Sequence, residues 1–176
     1  MNLIYANKTT SAITSWSISN IPASYNHLYL VLDLHMISAN ATVMSVTING
    51  ETTGMYDVMG NSSSGGGSTI YAYGFGGYNK TKNNIPFHSC MNNADRAYAE
   101  IWFPFSQNTN ALTTNSDFGG GGKQCIFRAT SEGYGWYRQS AGYAKCYTAS
   151  RISSLAVTHS GSNKIDVGSY IALHGV

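Results

Sequence analysis

The ten residues 27–36, HLYLVLDLHM, constrain the fold of this chain more than any other segment. Leu28, Leu30, Leu32, Leu34 and Met36 share one parity, and His27, Tyr29, Val31, Asp33 and His35 share the other. Side chains alternate between the two faces of a β-strand, so this pattern predicts a strand with one face on a core and the other towards solvent or a partner. A second strand is expected at 42–48, with Met44, Val46 and Ile48 on one face. It ends at Asn49-Gly50, a pair suited to the positive φ angles of a tight hairpin turn. Residues 97–105 alternate Ala97, Ala99, Ile101, Phe103 and Phe105 against Tyr98, Glu100 and Trp102. Pro104 cannot donate to a ladder, so this strand lies at an edge or ends there.

Shorter strands are expected at 13–18, 68–75, 124–129, 143–147, 152–158 and 169–174. Turn-rich segments separate them at 61–68, 74–82, 92–95 and 115–123. No window of eleven residues carries the helical period. Eight or nine short strands between Gly/Ser/Asn turns predict an all-β, two-sheet antiparallel sandwich of jelly-roll type, in a single domain spanning 1–176. The Ser/Gly run at 62–67 resembles an interdomain linker, but too few strands precede it to close a domain, and it is read as a hairpin tip. The expected core comprises Leu28, Leu30, Leu32, Leu34, Val46, Ile48, Ile101, Phe103, Ile171 and Leu173.

A chain of 176 residues buries about 70% of the surface its unfolded form exposes, enough to need no disulfides. Its charged fraction is 10%, against about 25% in soluble domains. A weakly charged polar surface does little to hold neighbouring copies apart, which points to a permanent assembly. The net charge is +2. The basic residues are scattered from Lys8 to Lys164, without the concentrated footprint that nucleic acid requires. The N-terminal segment lacks the basic start and apolar run of a signal peptide, and no apolar stretch reaches the length of a membrane helix. Cys90, Cys125 and Cys146 form no C-x-x-C pair and are expected to be reduced thiols acting as small buried hydrophobes.

Candidate chemistry is thin. Asp33 and His35 lie two apart on one strand face and could donate to a metal, but a site needs three or four ligands and no recognisable spacing supplies the rest. Gly119–Gly122 followed by Lys123 lacks the first glycine, the Ser/Thr and the helix of a phosphate loop, since Asp117 and Gln124 occupy the deciding positions. The eight acids form no motif, and there is no G-x-S-x-G elbow. The chain is therefore expected not to be an enzyme and to need no cofactor or metal. The segment 132–147, EGYGWYRQSAGYAKCY, is the most unusual one. Tyr134, Trp136, Tyr137, Arg138 and Tyr143 are its candidate partner-contact residues, because Tyr, Trp and Arg mark interfaces. Packing into a hairpin core, contact with a subunit or host, and stacking on carbohydrate all remain open for them.

The stretch 17–30, SISNIPASYNHLYL, resembles the opening of a group of tailed-bacteriophage virion proteins. The resemblance rests on Ile21-Pro22, Tyr25, Leu28 and Leu30, on Ile48-Asn49-Gly50-Glu51 with Gly54-x-Tyr56, and on Gly168-Ser169 with Leu173-His174-Gly175-Val176. Glu51 replaces the group's usual Asp, His174 replaces its usual Tyr, and residues 60–145 have no match. The resemblance implies a β-sandwich structural component of the virion, assembled in the host cytoplasm. The resemblance does not separate a capsid protein from a tail module. The leading expectation is a capsid decoration (cement) protein that binds the major capsid protein or other virion subunits as a homo-oligomer, a trimer. The alternative is a carbohydrate- or receptor-binding module of a tail fibre, with a host surface glycan as partner.

Overall fold

The leucine parity of 27–36 becomes the centre of a sandwich. The computed structural model describes residues 1–37, 42–52, 56–66, 69–82, 84–90, 96–106, 123–133, 136–148, 150–159 and 164–176. Thirteen strands run through them: β1 (Asn2–Lys8), β2 (Ser15–Ile18), β3 (Leu28–Ile37), β4 (Thr42–Ile48), β5 (Tyr56–Gly66), β6 (Thr69–Lys82), β7 (Ile85–Cys90), β8 (Arg96–Phe103), β9 (Lys123–Gly133), β10 (Trp136–Cys146), β11 (Leu155–His159), β12 (Lys164–Ile165) and β13 (Tyr170–Gly175). The large sheet has the order β1-β13-β3-β8-β9-β10-β5-β6, with β12 also paired to β3. The small sheet has the order β2-β11-β4-β7. Every pairing is antiparallel. The described residues contain no helix.

The inner faces meet in one apolar cluster drawn from both sheets. All ten residues assigned to the core from the sequence have no exposed surface. Phe87, Phe127, Trp16 and Val157 join them. The Ser140 hydroxyl donates to the Phe87 carbonyl at 2.6 Å, tying β10 to the small sheet across the sandwich. Cys125 and Cys146 are buried, and burial pushes the Cys125 thiol up to about 12. Cys125 therefore lacks the thiolate character that reactive cysteines share. The side chain of Cys90 lies outside the described set.

Several expectations are corrected. Residues 61–66 and 74–82 are strand, within β5 and β6, rather than turn. Glycine and serine are poor strand formers, but β5 is paired along both edges, to β10 and β6, and the ladder hydrogen bonds come from the backbone. β5 and β6 pair as far as Gly66↔Thr69, and residues 67–68 lie outside the described residues. The turn segment at 92–95 also lies outside them, as does 115–123 apart from Lys123, which is strand rather than turn. β8 is interior, between β3 and β9, and stops at Phe103, just before Pro104.

Asn49-Gly50 is a turn with φ of 54° and 71°, closed by the Glu51 amide donating to the Ile48 carbonyl at 3.0 Å. It does not join paired strands. β4 pairs with β11 and β7, while β5 belongs to the other sheet, so the turn starts a crossover between sheets. Asn49 also clamps the approach to β11. Its Oδ1 accepts from the Ser153 and Ser154 amides at 2.8 and 3.1 Å, and its Nδ2 donates to the Arg151 carbonyl at 2.8 Å. A Cβ at Gly50 would meet nothing within 4 Å. Gly50→Val should therefore cost only its backbone strain, about 1–2 kcal/mol. The expected drop in melting midpoint is roughly 2–4 °C per kcal/mol, and an unchanged midpoint would show that the turn tolerates a β-branched residue.

Candidate functional site: the outward face of the large sheet

With one parity of each central strand in the core, the other builds a broad outward face. Cross-strand registers set its rows. His174, Tyr29, Trp102, Ile126 and Tyr143 stand side by side on β13, β3, β8, β9 and β10. Leu3 on β1 extends the row beyond His174. At the usual strand spacing this belt is about 24 Å long. Ile126 is 57% exposed, Leu3 60% and Tyr143 38%.

The belt thickens at one end. The His27 ring stacks on Trp102 with centroids 5.6 Å apart, and Phe105 meets His27 edge-on at 5.0 Å. Tyr29 leans on Trp102 at 5.9 Å. The Phe105 amide donates to His27 Nδ1 at 3.0 Å. Phe105 holds φ at 51° with its ring 66% exposed. A bulky residue in that left-handed region is strained, and such strain concentrates at functional positions.

The next rows are charged but internally matched. Glu100 accepts from Arg128 Nε and from the Tyr98 hydroxyl, the latter at 2.8 Å. Arg128 holds the Glu100 carboxyl below its usual range, with Tyr98 and Tyr29 adding to the effect. Burial, together with Glu100, pushes the Tyr29 phenol up to about 12. Asp33 takes a two-pronged contact from Arg96, at 3.1 and 2.9 Å, which lowers its carboxyl as well. Asp33 is thus engaged with an arginine. Among the described residues no group of three or more His, Cys, Asp or Glu could hold a metal.

The aromatic segment singled out from the sequence divides. Tyr137 and Tyr143 lie on the outward parity of β10, six residues apart, and Tyr143 joins the belt. Arg138 has the opposite parity and is half-buried, with its Nε atom enclosed. Trp136 begins β10 with its side chain outside the described set, and Tyr134 lies wholly outside it. Lys123, next to the glycine run, opens β9 with its side chain buried, and that burial lowers its pKa. The sequence reading missed Ile126. Cys125, Phe127 and Ala129 fix the inward parity of β9, while Gln124, Arg128 and Thr130 fix the outward one. An isoleucine among the outward polar residues was the available signal.

No protein-family model, curated protein or solved structure matches this chain.

Proposed function

We propose that this chain is a structural subunit of a tailed-bacteriophage virion, a capsid decoration protein that docks through the outward belt of its large sheet and associates with copies of itself as a trimer. The observation that carries the reading is the belt itself: aromatic and aliphatic side chains from six neighbouring strands, with Ile126 exposed at a position interior to the sheet. Isolated apolar residues on a surface mean little, but a contiguous row of this length marks an interaction surface. The weakly charged composition and the sequence resemblance support the virion assignment. The sheet order supports a jelly roll. Strands β1-β13-β3-β8 and β2-β11-β4-β7 alternate between sheets along the chain as two interleaved Greek keys would, and the hairpins β5-β6 and β9-β10 extend one edge.

Reinforcement of a shell follows from many such contacts, each modest, engaged together. Ile126→Asp places a charge in the belt without touching the core. Its melt should match the wild type, while association falls by about 2 kcal/mol or more, because a buried charge without a partner is costly. Sedimentation of the purified protein and its occupancy on particles of the encoding phage read both effects. A wild-type protein that is monomeric and absent from the particle refutes the proposal. An Ile126→Asp variant that assembles normally removes the belt from the contact.

A further inference from the structure

At the end of the face away from the belt, large side chains surround small ones. Tyr98, Thr130, Gln139 and Ser63 form one row across β8, β9, β10 and β5, and Arg96, Glu132 and Tyr137 form the next. The short side chains of Thr130, Ser63 and Ala141 leave a trough. Two concavities of about 500 and 410 Å³ meet in it and share Tyr98, Thr130 and Gln139.

The chemistry of the trough is specific. Tyr98 and Tyr137 are 44% and 66% exposed, so each presents a ring with a polar tip to whatever enters. Of its three arginines, Arg138 is half-buried and the two exposed ones arrive already paired, Arg96 with Asp33 and Arg128 with Glu100. An anionic ligand would have to compete with those carboxylates. A neutral ligand rich in hydroxyls need not, because a guanidinium gripped by one carboxylate keeps further N–H donors in fixed directions. Gln139 and Thr130 add amide and hydroxyl groups at the point where the two concavities join.

We propose that this trough binds a neutral oligosaccharide, with Tyr98 and Tyr137 against the apolar faces of the sugar rings and Gln139, Thr130 and the carboxylate-paired arginines bonded to the hydroxyls. The site is separate from the belt and gives the chain a second capability, attachment to a glycan surface.

The test uses the full chain on an array of neutral tetrasaccharides of glucose, galactose, mannose and N-acetylglucosamine, with sialylated and sulfated glycans beside them. The best neutral glycan is then titrated by calorimetry. At least one neutral glycan should be retained, and Gln139→Ala and Tyr137→Ala should each weaken it ten-fold or more with unchanged melts. Ile126→Asp, which tests the belt, should leave the affinity within two-fold. Failure of this inference is thereby distinguished from failure of the docking proposal. Retention of no neutral glycan, preference for the acidic ones, or full affinity in both trough variants would each overturn it.

Discussion

Leu32→Ala is expected to lower the unfolding free energy by about 2–5 kcal/mol, among the largest single effects available in this chain. Leu32 has no exposed surface and lies mid-way along β3, the strand that β13, β8 and β12 all pair with. Its register neighbours are Ile171 on β13 and Ala99 on β8, both buried. Ala99 is too short to fill the space, and a strand hydrogen-bonded along both edges cannot move inward to close it. The cavity therefore persists, and its cost adds to the lost transfer energy. Denaturant titration should show a lower midpoint with an unchanged slope, the mark of lost stability without a change in the surface exposed on unfolding. A loss under about half a kcal/mol would mean that the site collapses, contrary to this argument.

Gly175→Ala should cost about 1–3 kcal/mol through overpacking, although replacing glycine at a permissive backbone position normally stabilises. Gly175 has no positive φ, so the backbone would accept alanine. The obstacle is Tyr25. An added Cβ would lie 2.2 Å from the Tyr25 Cγ and 2.4 and 2.5 Å from its two Cδ atoms. The strand end cannot retreat easily, because His27 and Val176 exchange two backbone hydrogen bonds of 3.0 Å. A double-mutant cycle isolates the cause. In a Tyr25→Ala background Gly175→Ala should cost little, leaving a coupling of about 1 kcal/mol or more. Equal costs in both backgrounds would clear the ring of responsibility.

That contact also gives the resembling motifs a physical role. Tyr25, from the opening stretch, packs over Gly175, from the closing one. The Ile21 amide donates to the Ser153 carbonyl, Asn49 clamps 151–154, and the Ser169 hydroxyl bridges the backbone of His35. These residues fasten distant parts of the chain into the sandwich. They are framework, which is why they point to a kind of fold more directly than to a binding surface. The trough draws mainly on β8, β9 and β10, which fall in the unmatched middle of the chain, whereas the belt also takes Tyr29 and His174 from the matched stretches.

Where every second residue is apolar, the sequence alone determined the structure locally. The period of two assigned β3, β8 and β4 their faces, because a strand can bury only one parity at a time, and eight of the ten core residues followed from it, Ile171 and Leu173 lying on β13. Other features depended on which strands lie together. The serines and glycines of β5 carry no apolar signal, so strand there arises from backbone pairing to β10 and β6 rather than from side chains. Asn49-Gly50 announced a turn, but only the sheet order made it a crossover instead of a hairpin. Arg138 and Tyr137 are adjacent in sequence and similar in interface propensity, yet the parity imposed by β10's neighbours puts one against the interior and the other in the open. Ile126, Trp102, Tyr29 and Tyr143 are far apart along the chain. They form one surface because antiparallel registers, fixed by tertiary packing, bring them to the same level of the sheet.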